Sequence, residues 1–407
     1  MKKNLLSKLA IDGGVPIRQE PLPARKIFGE DELEMVKTVF EDSWKSGIDF
    51  NFQGKFEEKF TKAFCDFQGG KGFADAVCSG GAAVYIALKA LNIKAGSDVI
   101  VSPVTNPGGI MPVAVQNFKL IVPDSNPNSF NISPEEFEKS ITPQTRAAVL
   151  THLGGHPIDM NPIMEIAKSR NIKIVEDCAQ AHGALYRGKK VGTFGEIAAF
   201  SNGFSKILAA GGVAGLVYTK NEDLYWKVRS IADRGKPFHK TNFNFRMTTD
   251  FLFPSHHFNA DELSCAIGTS VLSKLKDIIK KRHEIAKKID LSLKASKVIS
   301  PSNLELPNCS SSIFFHTVTV DIEKINVSKV KFASAVAAEG IAINGDYRDV
   351  TCEWPWMQNH VEMHTKNPHA INFRDRTFNI LFHEKYGEKE IKNIIDSILK
   401  VEKFYIK

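Results

Sequence analysis

The sequence predicts an α/β protein built on a mostly parallel central sheet. From about residue 73, short apolar runs of strand length alternate with stretches whose apolar residues recur at helical spacing, the pattern of strands joined by helical crossovers. At 407 residues the chain is also too long for one ordinary core, so it reads as a lead-in plus large domain over 1–270 and a smaller C-terminal α/β domain over 271–407.

The elements follow in order. Residues 31–66 read as a helix pair, with Phe56, Phe60 and Phe64 at four-residue spacing. Strands are expected at 99–104, 119–124, 147–153, 172–177, 197–201 and 213–219, with helices at 82–91 and 162–170 among them. A helix around 260–290 leads to the second unit, where 314–322 reads as a strand, 329–340 as a helix ended by Gly340, and the last stretch as a closing helix. In such a sheet the ligand crevice lies at the carboxyl ends of the strands.

Composition narrows the class. Hydrophobic residues make up 43% and charged residues 24%, the balance of an ordinary globular chain. No stretch reaches 18 uninterrupted apolar residues, and the apolar run after Lys2 and Lys3 is too short for a secretory signal, so a cytoplasmic protein without a membrane span is expected. The six cysteines form no CxxC pair and signal neither a disulfide framework nor a metal site. A net charge of +7 favours anionic ligands such as nucleotide-linked or phosphorylated sugars and does not call for nucleic acid. The basic run Lys274–Lys288 carries apolar residues at helical spacing and reads as a solvated amphipathic helix.

Three segments carry chemistry. In VEDCAQAHGA (175–184), a β-run ends in Asp177, where an ionised acid can hold a protonated ring nitrogen or simply cap the next turn. In AAFSNGFSKILAAGG (198–212), Ser201 ends a strand and Lys206 follows in a small-residue loop; Phe204, Ile207 and Leu208 can supply the dry surroundings that a Schiff-base lysine needs. In CSGGAAVYIALKAL (78–91), a glycine pair opens an apolar helix whose free amides make a phosphate site, although such glycines are also common as plain turns. His152 and His156 lack a carboxylate or cysteine at ligand spacing and read as pocket lining or loop hydrogen bonds. Trp354 and Trp356 read as a docked hydrophobic anchor or as a substrate-facing lid.

Together these segments resemble the sugar aminotransferases of the DegT/DnrJ/EryC1/StrS family, within the fold-type I pyridoxal-phosphate enzymes. The resemblance extends through the leader LAIDGGVPIR (9–18), ITPQTRAAVLTHLGGHPIDM (141–160), EDCAQAHGALYRGKKVGTFGEIAAFS (176–201) and DELSCAIG (261–268). It implies an aspartate aminotransferase-like fold and pyridoxal 5'-phosphate as cofactor. It also implies transfer of an amino group from glutamate or glutamine to a keto-sugar or keto-cyclitol, by a homodimer with shared active sites. By the same resemblance Lys206 carries the cofactor and shuttles protons, and Asp177 holds the ring nitrogen. Gln180 contacts the ring hydroxyl, His182 lines the same wall, and Ser201 with Ser79, Gly80 and Gly81 cradles the phosphate.

Three positions depart from the family pattern. Gly81 stands where a threonine is usual, Asn106 where an aromatic ring commonly stacks on the cofactor, and His257 where an asparagine reaches the phosphate of the other subunit. The ending AAGGVAG (209–215) also lacks the usual glutamate between glycines. Two alternatives follow: a sugar dehydratase or other reaction on the same cofactor, against which Lys206 argues because such dehydratases carry histidine there, and a non-catalytic sugar-binding relative.

Overall fold

The computed structural model describes residues 8–240, 242–363 and 366–407; residues 1–7, with Lys2 and Lys3, lie outside them. The lead-in helices are Glu30–Ser46 (α1) and Lys55–Phe67 (α2). Phe56, Phe60 and Phe64 share one face of α2, as the spacing predicts, and none is more than 4% exposed. The amides of Phe56 and Glu57 donate to the carboxylate of Glu262 at 3.0 and 2.9 Å, so the start of α2 is tied to the helix Glu262–Leu293.

Seven strands form most of the main sheet: Phe73–Val77 (β1), Asp98–Val101 (β2), Lys119–Ile121 (β3), Thr145–Thr151 (β4), Lys173–Asp177 (β5), Ile197–Ser201 (β6) and Gly215–Thr219 (β7). Their order is β1-β7-β6-β5-β4-β2-β3, with Val361–Met363 added beyond β3. Every pairing from β6 to that far edge is parallel, while β7 runs antiparallel to both β6 and β1. The strands expected at 99–104 and 119–124 stop at Val101 and Ile121, short of Pro103 and Pro123, which have no N–H to give a ladder.

A second, antiparallel sheet orders Ile299–Pro301, His316–Val320, Thr377–Ile380 and Ile343–Asn344. The helices Lys329–Ala338 and Glu388–Tyr405 bury Phe332, Val336, Ile391 and Ile398 against it. The expected boundary between 270 and 271 falls inside the unbroken helix Glu262–Leu293, which packs Cys265 and Ala266 in the main core and Ile285 and Ile289 in the second. Traffic across that boundary runs both ways: Val361–Met363 joins the main sheet, and Leu9 and Leu22 of the lead-in pack with the second core. Within the basic run, Leu275, Ile278 and Ile285 face inward as an amphipathic helix requires, and Arg282 is buried with them. No described helix is long and apolar enough to cross a membrane.

Candidate active site

The parallel strands end together on one rim. β4 and β5 are in register, with Thr151 opposite Asp177. Oδ1 of Asp177 accepts from the Ala179 amide at 3.0 Å and Oδ2 from the Thr151 hydroxyl at 3.0 Å. Thr105 Oγ1 lies 3.1 Å from Thr151 Oγ1, continuing the polar chain. Burial pushes the Asp177 carboxyl pKa up; the Ala179 amide, the Thr151 hydroxyl and the charge of Lys206 oppose that push. A carboxylate so placed is stabilised by a cation beside it.

Lys206 sits in the loop between β6 and β7, and the loop is held from within. Asn202 donates from Nδ2 to the Leu208 carbonyl at 3.0 Å and from its amide to Ala214 at 2.8 Å, while the Lys206 amide donates to Gly203 at 2.9 Å. Burial pushes the lysine pKa down and the Asp177 charge pulls it back up, so the two groups lie within each other's field. Ile207 and Leu208 are buried as expected, but Phe204 is 68% exposed and turns away. Its expected place is taken by Phe314, whose ring centroid is 4.8 Å from Nζ.

The helix Gly80–Ala90 (α3) follows β1 and opens on the same rim. Ser79 caps it, accepting from the Ala82 amide through Oγ at 3.1 Å, while the Ala83 amide takes the Ser79 carbonyl. The amides of Gly80 and Gly81 are left without a partner among the described residues, as a phosphate cradle needs. A Cβ on Gly80 would lie 2.4 Å from Ser201 Cβ, so glycine there lets the helix start touch the end of β6. Gly81 has no such neighbour: its nearest atom would be 3.8 Å away.

Gln180 and His182 lie in the loop after β5. Gln180 Oε1 accepts from the Gly154 amide at 2.8 Å. His182 is 1% exposed and neither ring nitrogen has a hydrogen-bond partner among the described residues; its ring packs 5.5 Å from that of Phe200. Burial, then the Lys206 charge, pushes its pKa down to about 3, so the imidazole is neutral and holds an unused donor and acceptor.

Two of the departures are less central. Asn106 is exposed, and its side-chain oxygen accepts from the Gly108 amide at 3.1 Å, closing a local turn. His257 pairs its backbone with Asp233 and packs its ring 4.5 Å from Phe52; no described hydrogen bond or ion pair joins it to Asp177 or Lys206. It does flank the approach to α3, because the next residue, Phe258, accepts from the Cys78 amide.

Several residues around Lys206 escaped the sequence reading. Arg25 donates to the Lys206 carbonyl at 2.7 Å, and Arg282 to the Phe314 carbonyl at 2.8 Å. Arg25, Phe28, Phe204, Ser205, Phe314 and Tyr386 help line a cavity of about 570 Å³ beside the lysine loop, a size suited to a small ligand.

His152, Glu176 and Cys178 gather closely enough to suggest a metal. Both His152 nitrogens are engaged, however, by Glu176 Oε2 at 3.1 Å and the Ile158 amide at 3.0 Å, and Glu176 is filled by the amides of Gly192, Phe194 and Gly195, each at 2.7 Å. The trio is a loop brace. His156 likewise bonds through Nδ1 to Ser311 Oγ at 2.8 Å. Trp354 and Trp356 pack against the main core, and Trp354 Nε1 donates to the Arg348 carbonyl at 3.2 Å, the anchor of the two readings.

With this geometry in place, comparison with known proteins gives a consistent result. The profile of the DegT/DnrJ/EryC1/StrS aminotransferase family matches residues 27–399. The GDP-perosamine synthase of Escherichia coli O157:H7 is 33% identical over 278 residues, 67% of this chain and 69% of that one. A putative L-glutamine:3-amino-2,3-dideoxy-scyllo-inosose aminotransferase of Streptoalloteichus tenebrarius is 34% identical over 232 residues, 57% of this chain and 55% of that one. Among solved structures, the aminotransferase from Psychrobacter cryohalolentis superposes with a TM-score of 0.84 at 26% identity, covering 93% of this chain and 97% of that one.

Proposed function

The chain belongs to the DegT/DnrJ/EryC1/StrS aminotransferase family of pyridoxal-phosphate enzymes, and we propose that it moves an amino group from glutamate or glutamine to a keto-sugar or keto-cyclitol. The observation that carries this reading is that buried Asp177 and Lys206 lie at neighbouring strand ends within each other's field, beside the open amides of α3. The relatives' names support the acceptor class: one is a synthase of a nucleotide-linked amino sugar, the other an aminotransferase of a cyclitol ketone. A role in cell-surface polysaccharide or secondary-metabolite synthesis fits that class, and the cytoplasm is the proposed place of the reaction.

The residues fit the cofactor. Bound pyridoxal phosphate supplies an electron sink and a carrier for the amino group. Asp177 would keep a proton on the ring nitrogen, which returns the cation its buried carboxylate lacks. The Gly80 and Gly81 amides with the Ser79 and Ser201 hydroxyls would hold the phosphate. Gln180 would meet the ring hydroxyl, His182 would offer its unused nitrogens to the same wall, and the Asn106 amide would lie against the ring face. Lys206 Nζ, once released, would take up and return the proton moved at the substrate carbon. A homodimer would bring His257 of each copy toward the phosphate of the other.

The test is spectral. Purified protein mixed with pyridoxal phosphate should develop a visible band that borohydride abolishes, with the label mapping to Lys206, and Lys206→Ala should lack it. Addition of glutamate or glutamine should bleach the band, and a correct acceptor should restore it. Wild-type protein that shows no band at saturating cofactor rules the reading out.

A further inference from the structure

Glu384 stands between two arginines, and each arginine grips one side of the lysine site. Arg25 donates from Nε to Glu384 Oε1 at 2.9 Å and from Nη1 to the Lys206 carbonyl at 2.7 Å. Arg282 faces Glu384 Oε2 at 3.3 Å and donates to the carbonyls of Ile313 and Phe314, both at 2.8 Å. Phe314 is the residue whose ring covers the Lys206 ammonium. The three side chains come from separate places: the lead-in segment, the helix Glu262–Leu293, and the turn between the strand Thr377–Ile380 and the last helix.

The carboxylate is nearly sealed, with its side chain 4% exposed, as is that of Arg282. An ion triad at this depth is costly to desolvate and persists through geometry and complete hydrogen bonding. Here the geometry is specific. One arm ends on the backbone of the lysine and the other on the backbone that aims the ring over its amine.

We propose that Glu384 is a positioning residue that holds Lys206 and Phe314 in register and so ties the C-terminal sheet to the reacting amine. This rests on Lys206 being the cofactor-bearing lysine. A planar guanidinium donating to a carboxylate and a carbonyl at once transmits displacement in a way that a flexible ammonium does not. When Glu384 moves with the C-terminal sheet, both walls of the lysine pocket move with it. Loss of the clamp admits water to Nζ.

The experiment uses the full chain freed of any bound cofactor, so that the Lys206 amine is available and the readout is independent of acceptor and turnover. The pH midpoint for reaction of Lys206 with trinitrobenzenesulfonate, located by peptide mass mapping, reads how dry the amine is. Wild type should titrate below the ordinary lysine range. Glu384→Gln and Arg25→Gln should each raise the midpoint toward that of a solvated lysine, by about one pH unit, and Glu384→Asp should recover part of the wild-type value. If Glu384→Gln does not fold, Arg25→Gln, whose side chain is partly accessible, carries the test. Unchanged midpoints in folded variants whose melting temperature alone has dropped would overturn the proposal and leave Glu384 a structural ion pair. Absence of the visible band in wild type bears on the cofactor reading instead, so the two failures are distinguishable.

Discussion

Thr151 and Asp177 face each other on neighbouring parallel strands, and the threonine hydroxyl donates to Oδ2 of the acid at 3.0 Å. That bond stabilises the ionised form against the burial that disfavours it. Thr151→Val keeps the β-branched shape of the strand and removes only the donor. A hydrogen bond to a charged group is worth about 1.5–3 kcal/mol, so cofactor affinity in this variant should fall at least tenfold when the visible band is titrated. Equal affinities would separate Thr151 from the function of the acid.

The acid itself gives a sharper test. Asp177→Asn preserves shape and the bond from the Ala179 amide while removing the charge that keeps a ring nitrogen protonated. The half-reaction with the amino donor should slow by about two to three orders of magnitude, by analogy with the loss of one preorganised charge-stabilising group. Stopped-flow spectra with an unaltered rate would contradict the assignment.

The shared rim of Asp177 and Lys206 was legible in the sequence because it is set locally: an acid ending one strand and a lysine just after the neighbouring one meet on one side of a parallel sheet. The dry wall of the lysine was not. Sequence proximity nominated Phe204, yet the loop turns that ring outward, and Phe314 arrives from the segment just before the strand His316–Val320 of the second sheet. Arg25 is 181 residues from the carbonyl it holds, and no periodicity records which distant loop will meet another. The boundary expected at 270 lies within a helix that buries one end in each core, and such a helix carries no sequence break to mark a change.

The glycine pair at the start of α3 separates space from chemistry. Gly80→Ala places a Cβ 2.4 Å from Ser201 Cβ and 3.0 Å from its Cα, close to backbone that cannot swing aside. Such overpacking should cost about 1–3 kcal/mol and distort the cradle. A Cβ at Gly81 meets nothing closer than 3.8 Å, and Gly81→Thr supplies a hydroxyl beside the open amides. It should leave the melting temperature equal or higher, and tighten cofactor binding several-fold, roughly the value of one hydrogen bond. Thermal melts and band titrations on the two variants give opposite results if the cradle lies here.

Away from the site, Glu57 and Asp75 are buried side by side with Arg229, whose Nε is 3.6 Å from Asp75 Oδ1 and whose Nη1 is 4.0 Å from Glu57 Oε1. One guanidinium cannot neutralise two sealed carboxylates. Burial, then the Asp75 charge, pushes the Glu57 pKa up to about 8 from the ordinary 4.5. The folded chain thus keeps a proton that the unfolded chain releases, so this stabilising contribution is whole below about pH 4.5 and is lost as the pH rises through about 8. Glu57→Gln supplies a permanently neutral side chain of the same shape. At pH 5 it should match wild type, whose glutamate is already protonated in the fold; by pH 9 it should be more stable by about 1–3 kcal/mol, the scale of an unsatisfied buried polar group. Urea unfolding at the two pH values measures the widening, and a gap that does not grow with pH would mean that the pair ionises fully in the native state.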